Sequence, residues 1–138
     1  MDKKVDIHKA AGVLLNNRRF LISRSKGKNF FIAPGGKVEE GESVREALIR
    51  ELGEEFGIEV SVDNLEEFGT FYALAAGHKD KHLRMDVFVV KKWSGEIAPA
   101  SEVEEIMWVN SKLPSNLTLG SIFQHDVLPK LKEKGLID

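Results

Sequence analysis

The sequence predicts an α+β fold, or a sheet flanked by helices, and three features predict it. Strand-like and helix-like segments are mixed along the chain without strict alternation. Residues 43–56 carry both end signals of an amphipathic helix. A second stretch, "IFQHDVLPKLKEKG", closes the chain with helical apolar spacing. With 138 residues, 42% hydrophobic and 30% charged, the chain has the size of one globular domain spanning residues 1–138. That length suffices to bury roughly two thirds of the unfolded surface.

Taken in order, Lys9 to Leu15 and Phe20 to Ser23 read as two strands of a hairpin joined by the turn-prone Asn16-Asn17. "NFFIAPGG" ends an apolar run at Pro34-Gly35-Gly36. Proline there removes a donor and the glycines open backbone conformations closed to other residues, so a sharp turn is expected. Ser43 with Glu46 three residues later is a capping box, and Gly57 stops the helix after Phe56. On that helix Val44, Leu48, Leu52 and Phe56 sweep one apolar arc, and Glu51, Glu54 and Glu55 fall within an arc of about 100° beside it. Further strands are expected near 67–75, 83–91 and 104–109, with polar turns at Gly77 to Lys81 and at Ser94-Gly95.

Composition removes several function classes. The formal net charge is -2 with both signs interspersed, which lacks the basic footprint of a duplex nucleic-acid binder. There is no cysteine, which excludes a disulfide framework, thiolate zinc sites and cysteine nucleophiles, and is compatible with a reducing compartment. No apolar run approaches the roughly eighteen residues that span a bilayer, and "MDKKVDIHKA" lacks the apolar core of a signal peptide. The expectation is a cytoplasmic protein with no membrane partner.

The chemistry hangs on the first helix. Carboxylates at i, i+3 and i+4, beside a glycine-built loop, offer hard oxygen ligands to a small cation, and without thiolates that cation is Mg²⁺ or Mn²⁺. A glutamate-rich face is ordinarily just solvated, with Glu46 and Arg50 forming a favourable i, i+4 pair. A longer pattern argues otherwise. From Gly36 the residues run through Glu42 to Arg50-Glu51-Leu52, Gly53, Glu54-Glu55, Phe56 and Gly57-Ile58. This resembles the signature box of the Nudix hydrolases, with every fixed position occupied. Pro34-Gly35 ahead of it and Trp108-Val109 behind extend the resemblance over about residues 8–130.

The resemblance implies a Nudix-type α/β/α sandwich around a mixed β-sheet and Mg²⁺-dependent attack of water on a nucleoside diphosphate linked to another group. By position it implies Glu51, Glu54 and Glu55 as metal ligands, joined by the carbonyl of Gly36. It gives Arg50 an orienting role and makes Glu42 the brace between loop and helix. Glu102, six residues before Trp108, stands where the MutT branch carries a further metal-associated glutamate, so the proton acceptor is Glu51, Glu54 or Glu102. Arg24 and Phe31 occupy positions that contact substrate in relatives, although Ser25 replaces a second arginine typical of MutT-like chains. His78 and His82, among lysines, stand at a hairpin tip that could meet phosphate. The leading substrate is a nucleoside or deoxynucleoside triphosphate, cut to monophosphate and pyrophosphate. ADP-ribose or a nucleotide sugar is the alternative, and a non-catalytic nucleotide-binding module a further one. Homodimers are common in the family, and the residues leave that state open.

Overall fold

The computed structural model describes residues 5–74 and 81–138. Its elements in chain order are β1 (Ile7–Asn16), β2 (Arg19–Ser25), β3 (Gly35–Lys37), α1 (Val44–Phe56), a 3-10 turn (Val62–Asn64), β4 (Leu65–Leu74), β5 (His82–Val90), β6 (Val103–Val109), a π-helical turn (Phe123–Val127) and α2 (Leu128–Glu133). The strands are ordered β4-β5-β1-β2-β6, and β3 also pairs with β1. β1 and β5 run parallel and the other pairs antiparallel, so the sheet is mixed as expected. Among the described residues no helix is long and apolar enough to cross a membrane.

β1 is buried on both faces and organises the two halves of the core. Ala10 and Leu14 point to one face, where Ala47, Leu48, Leu52 and Phe56 of α1 cover the sheet together with Phe88 and Val90. Ala11 and Val13 point to the other, where Phe123, Val127 and Leu131 pack against Phe20, Ile22, Val87 and Val109. Each fully buried side chain of this size contributes about 1.5–3 kcal/mol. Two helices on opposite faces of a mixed sheet make the expected α/β/α sandwich.

α1 begins and ends where its residues dictate. The Ser43 side chain accepts from the Glu46 amide, the Glu46 side chain accepts from the Ser43 amide, and Gly57 closes the helix at φ 69°. The hairpin turn lies one residue later than expected: Asn17 and Arg18 both take positive φ, which matches the twist of a two-residue hairpin. The closing helix starts as a π turn. Pro129 has no N–H to offer, and the Leu128 amide reaches five residues back to the Phe123 carbonyl.

The expected sharp turn at Pro34–Gly36 is instead a short strand. Gly35 and Gly36 pair with Ala11 and Ala10 of β1, so the backbone lies flat against its neighbour. Gly35 has φ 137°, and a Cβ there would stand 2.1 Å from the Ala10 carbonyl oxygen. Glycine therefore serves close approach here rather than reversal. Gly35→Ala should cost at least about 2 kcal/mol of stability through clash and strain. Ser43→Ala, which removes only a cap, should cost about 1 kcal/mol. Urea unfolding of both variants checks this, and a Gly35→Ala protein as stable as Ser43→Ala would contradict the close-approach reading.

Candidate active site

The last two turns of α1 present Glu51 and Glu55 to the Gly35-Gly36 backbone, while Glu54 on the same edge reaches Arg50. A Cβ on Gly36 would stand 2.6 Å from both Cδ and Oε1 of Glu51, so the carboxylate occupies space that only glycine leaves free. One residue earlier, the Gly35 amide donates to Glu55 Oε1 at 3.0 Å. Because β3 is pinned to β1, the sheet sets the position of both contacts.

Arg50 gathers the surrounding acids. Its Nε and Nη2 donate to the two oxygens of Glu42 at 3.1 and 2.8 Å, a two-pronged pair that fixes the guanidinium plane. Nη1 donates to Glu51 at 3.0 Å and reaches Glu54 at 3.4 Å, and Nη2 also donates to the Lys37 carbonyl at 3.1 Å. Glu42 is held from its other side by the Glu39 amide at 2.9 Å. One side chain thus ties the loop at residues 37–42 to the helix. The Arg50 hydrogen bond holds the Glu42 carboxyl below its ordinary range, and Glu42 in turn raises Arg50.

The carboxylates facing the glycines are shifted the other way. Burial raises Glu51 despite its bond to Arg50. Burial pushes Glu55 up to about 8, opposed by the Gly35 amide and reinforced by the charges of Glu51 and Glu54. Crowded, partly desolvated carboxylates of this kind are relieved by a cation, and an all-oxygen donor set suits Mg²⁺ or Mn²⁺. The glycine cradle and the donor chemistry fit such an ion. As placed, no three His, Asp or Glu side chains among the described residues surround one point. Arg50 draws Glu51 and Glu54 while the Gly35 amide draws Glu55, which divides the cluster between two partners.

Beside this edge lies a cleft of about 410 Å³, lined by Ile7, Phe30, Ile32, Leu83 and Met85, together with Lys9, Lys37, Gly35, Gly36 and Gly120 to Phe123. Its volume suits a small ligand, and mixed apolar walls with few polar groups are typical of such sites. Lys9 and Lys37 escaped the sequence reading. Their only signal is register, since the two lysines are 28 residues apart and meet through the β1–β3 pairing.

The other expected residues lie elsewhere or at the margin. Arg24 pairs with Glu104 and Glu105 at 3.1 Å and donates to the Lys28 carbonyl, and it does not line the cleft. Phe31 is buried in the core at 8% exposure, while its neighbours Phe30 and Ile32 face the cleft. Glu102 is exposed at the head of β6. Its strand is brought to the end of α1 by the Ala100 amide, which donates to the Glu55 carbonyl at 2.9 Å. The His82 amide donates to Asp6 at the start of β5. His78 and most of the turn at 77–81 lie outside the described residues.

Comparison with known proteins gives a consistent picture. The NUDIX domain matches residues 6–131. The uncharacterized Nudix hydrolase YvcI of Bacillus subtilis is 30% identical over 125 residues, 91% of this chain and 79% of that protein. The 8-oxo-dGTP diphosphatase of Proteus vulgaris is 37% identical over 102 residues, 70% of this chain and 86% of that one. Among solved structures, the MutT protein of Methanosarcina mazei Go1 superposes with a TM-score of 0.75 at 22% identity, over 98% of this chain and 99% of that chain, a likeness of fold.

Glu55 provides a pH test of the buried edge. With its folded value up at about 8 and an ordinary glutamate near 4.3, the folded state binds this proton more tightly than the unfolded state does. The contribution is present in full below the unfolded value and is lost as pH rises toward about 8. In chelator, wild type should therefore lose stability relative to Glu55→Gln between about pH 5 and pH 8, with the difference level above that. Urea unfolding at several pH values measures it, and a difference independent of pH would contradict the burial of this carboxyl.

Proposed function

The chain belongs to the Nudix hydrolase family, and on that premise we propose that it converts a nucleoside or deoxynucleoside triphosphate to the monophosphate and pyrophosphate. As a Nudix hydrolase it cleaves phosphoric anhydride bonds, acting on a nucleoside diphosphate joined to another group. The observation that supports this reading is the closure of Glu51 and Glu55 onto the Gly35-Gly36 backbone, with Glu54 beside them on α1. In this reading residues 1–138 act as one domain, in the cytoplasm, on a small nucleotide.

In this reading Glu51, Glu54 and Glu55, with the Gly36 carbonyl, hold Mg²⁺, or Mn²⁺ in its place. When bound, the ion supplies charge neutralisation for the phosphate oxygens and lowers the pKa of water. The protein's own groups do the rest. Arg50, fixed by Glu42, keeps the Glu51 carboxylate aimed at the glycine backbone, and the Gly35 amide does the same for Glu55. The apolar cleft takes the base and sugar, with Phe30 available to stack, and the glycine side of the cleft leads the phosphates to the carboxylates. Water adds to phosphorus as the bridging P–O bond breaks, pyrophosphate leaves, and a carboxylate takes the water's proton. Glu102, exposed and held near the end of α1, is the acceptor or a further ligand in this account.

Turnover should require Mg²⁺ or Mn²⁺ and vanish in excess chelator. Glu54→Gln should lower kcat at least about tenfold with the far-UV circular dichroism unchanged. Glu102→Gln should lower kcat by more than it raises KM, and a neutral result would move the proton to Glu51 or Glu54. Chromatography of matched triphosphate and ADP-ribose reactions identifies the substrate class. Monophosphate plus pyrophosphate is expected. A specificity constant for ADP-ribose at least about a hundredfold above every triphosphate, equivalent to about 2.7 kcal/mol, would instead establish the ADP-ribose alternative.

A further inference from the structure

We propose that Lys9 is a positioning residue for substrate: with Lys37 across the strand pair, it seats the phosphate chain between the apolar cleft and the carboxylate edge. The identity of that chain as a triphosphate rests on the reading above. The seat itself rests on register and charge.

Lys9 of β1 stands directly opposite Lys37 of β3 in the antiparallel pair. Like charges directly opposite one another destabilise a strand pair. Neither lysine forms an ion pair with any described residue, and Glu51, the acid whose charge acts on Lys9, is paired with Arg50. Lys9 is half-buried, so its ammonium has lost part of its water without gaining a carboxylate. Burial and the Lys37 charge both hold it below the ordinary lysine range, and Glu51 works in the opposite direction.

The surroundings do not call for an ammonium. Ile7, Leu83 and Met85 share the cleft wall with Lys9, and β1 and β5 pair Lys9 with Met85 itself. An apolar residue at position 9 would fill that wall at less desolvation cost. What the lysines can do is attract an anion, and their place decides which one. Lys9 shares the cleft with apolar walls, suited to the uncharged end of a ligand, and it also senses the charge of Glu51. A ligand spanning both would lay a multiply charged linker between them. Phosphoryl oxygens beside two ammonium groups gain charge-assisted hydrogen bonds and remove the lysine–lysine repulsion in the same step.

The test is Lys9→Met, which keeps an unbranched side chain and removes the charge, with Lys9→Gln and Lys9→Arg as companions. For the triphosphate, Lys9→Met should raise KM at least about tenfold with kcat changed less than about threefold, the pattern of lost ground-state binding. Lys9→Arg should recover most of the affinity. Thermal unfolding of Lys9→Met without ligand should match or exceed wild type, whereas a purely structural lysine would lower it. Titration calorimetry with inorganic tripolyphosphate separates this inference from the substrate assignment. If wild type turns over no triphosphate, the substrate reading fails, and the seat is still judged by tripolyphosphate binding. Weaker binding to Lys9→Met and Lys9→Gln than to wild type supports the seat. Equal binding by all three, or an unchanged KM, overturns it.

Discussion

The close approach of the Gly35-Gly36 backbone to the edge of α1 is the constraint on which the site depends. Two glycines let β3 lie against β1 on one side and against carboxylates on the other, with no side chain in either gap. The sheet then supplies what a loop could not. β1 is buried on both faces from Ala10 to Leu14, so β3, paired with Lys9 to Ala11, is anchored to the core, and Glu51 and Glu55 meet a backbone held by that pairing. Helix position is set just as firmly by the capping box at Ser43 and by Leu48, Leu52 and Phe56 beneath. Two rigid elements therefore meet at a seam of glycine and glutamate.

That seam concentrates negative charge, and the structure shows where the repulsion goes. Arg50 neutralises one side by binding Glu42, Glu51 and Glu54, the Gly35 amide supports Glu55, and the Glu55 carboxyl still resists ionisation, through burial first and the charges of Glu51 and Glu54 second. Like charges packed this way weaken a fold unless a cation offsets them. The positive side of the cleft mirrors the arrangement, with two lysines facing each other across a strand pair. Opposite unbalanced charges on adjoining walls suit a metal-bound polyphosphate, which carries both signs.

Much of this is legible in the sequence. The boundaries of α1 followed from Ser43, Glu46 and Gly57 because caps are local chemistry, and the carboxylate edge followed from helical geometry alone. β1 and β2 were visible as apolar runs around a turn. What could not be read depended on partners far away in the chain. Gly35 looked like a turn because its positive φ is a local property, whereas its use in strand pairing is set by Ala10 and Ala11. Phe31 and Phe30 differ by one position, and period-2 alternation decides which enters the core only after the strand's face is known. The resemblance points Arg24 at substrate, and its pairing with Glu104 and Glu105 arises from β6 lying alongside β2, which the local sequence does not show. Lys9 and Lys37 became a pair only through register.

The central claim is that the glutamate edge and the glycine backbone together form one cation site. Paramagnetic broadening of backbone amide signals by substoichiometric Mn²⁺ tests it most directly, since the effect falls steeply with distance and needs no substrate. The account predicts broadening centred on Gly35, Gly36 and the segment from Glu51 to Phe56, with α2 spared and the effect reversed by excess Mg²⁺. Broadening centred elsewhere, or spread evenly over the acidic surface, would contradict it.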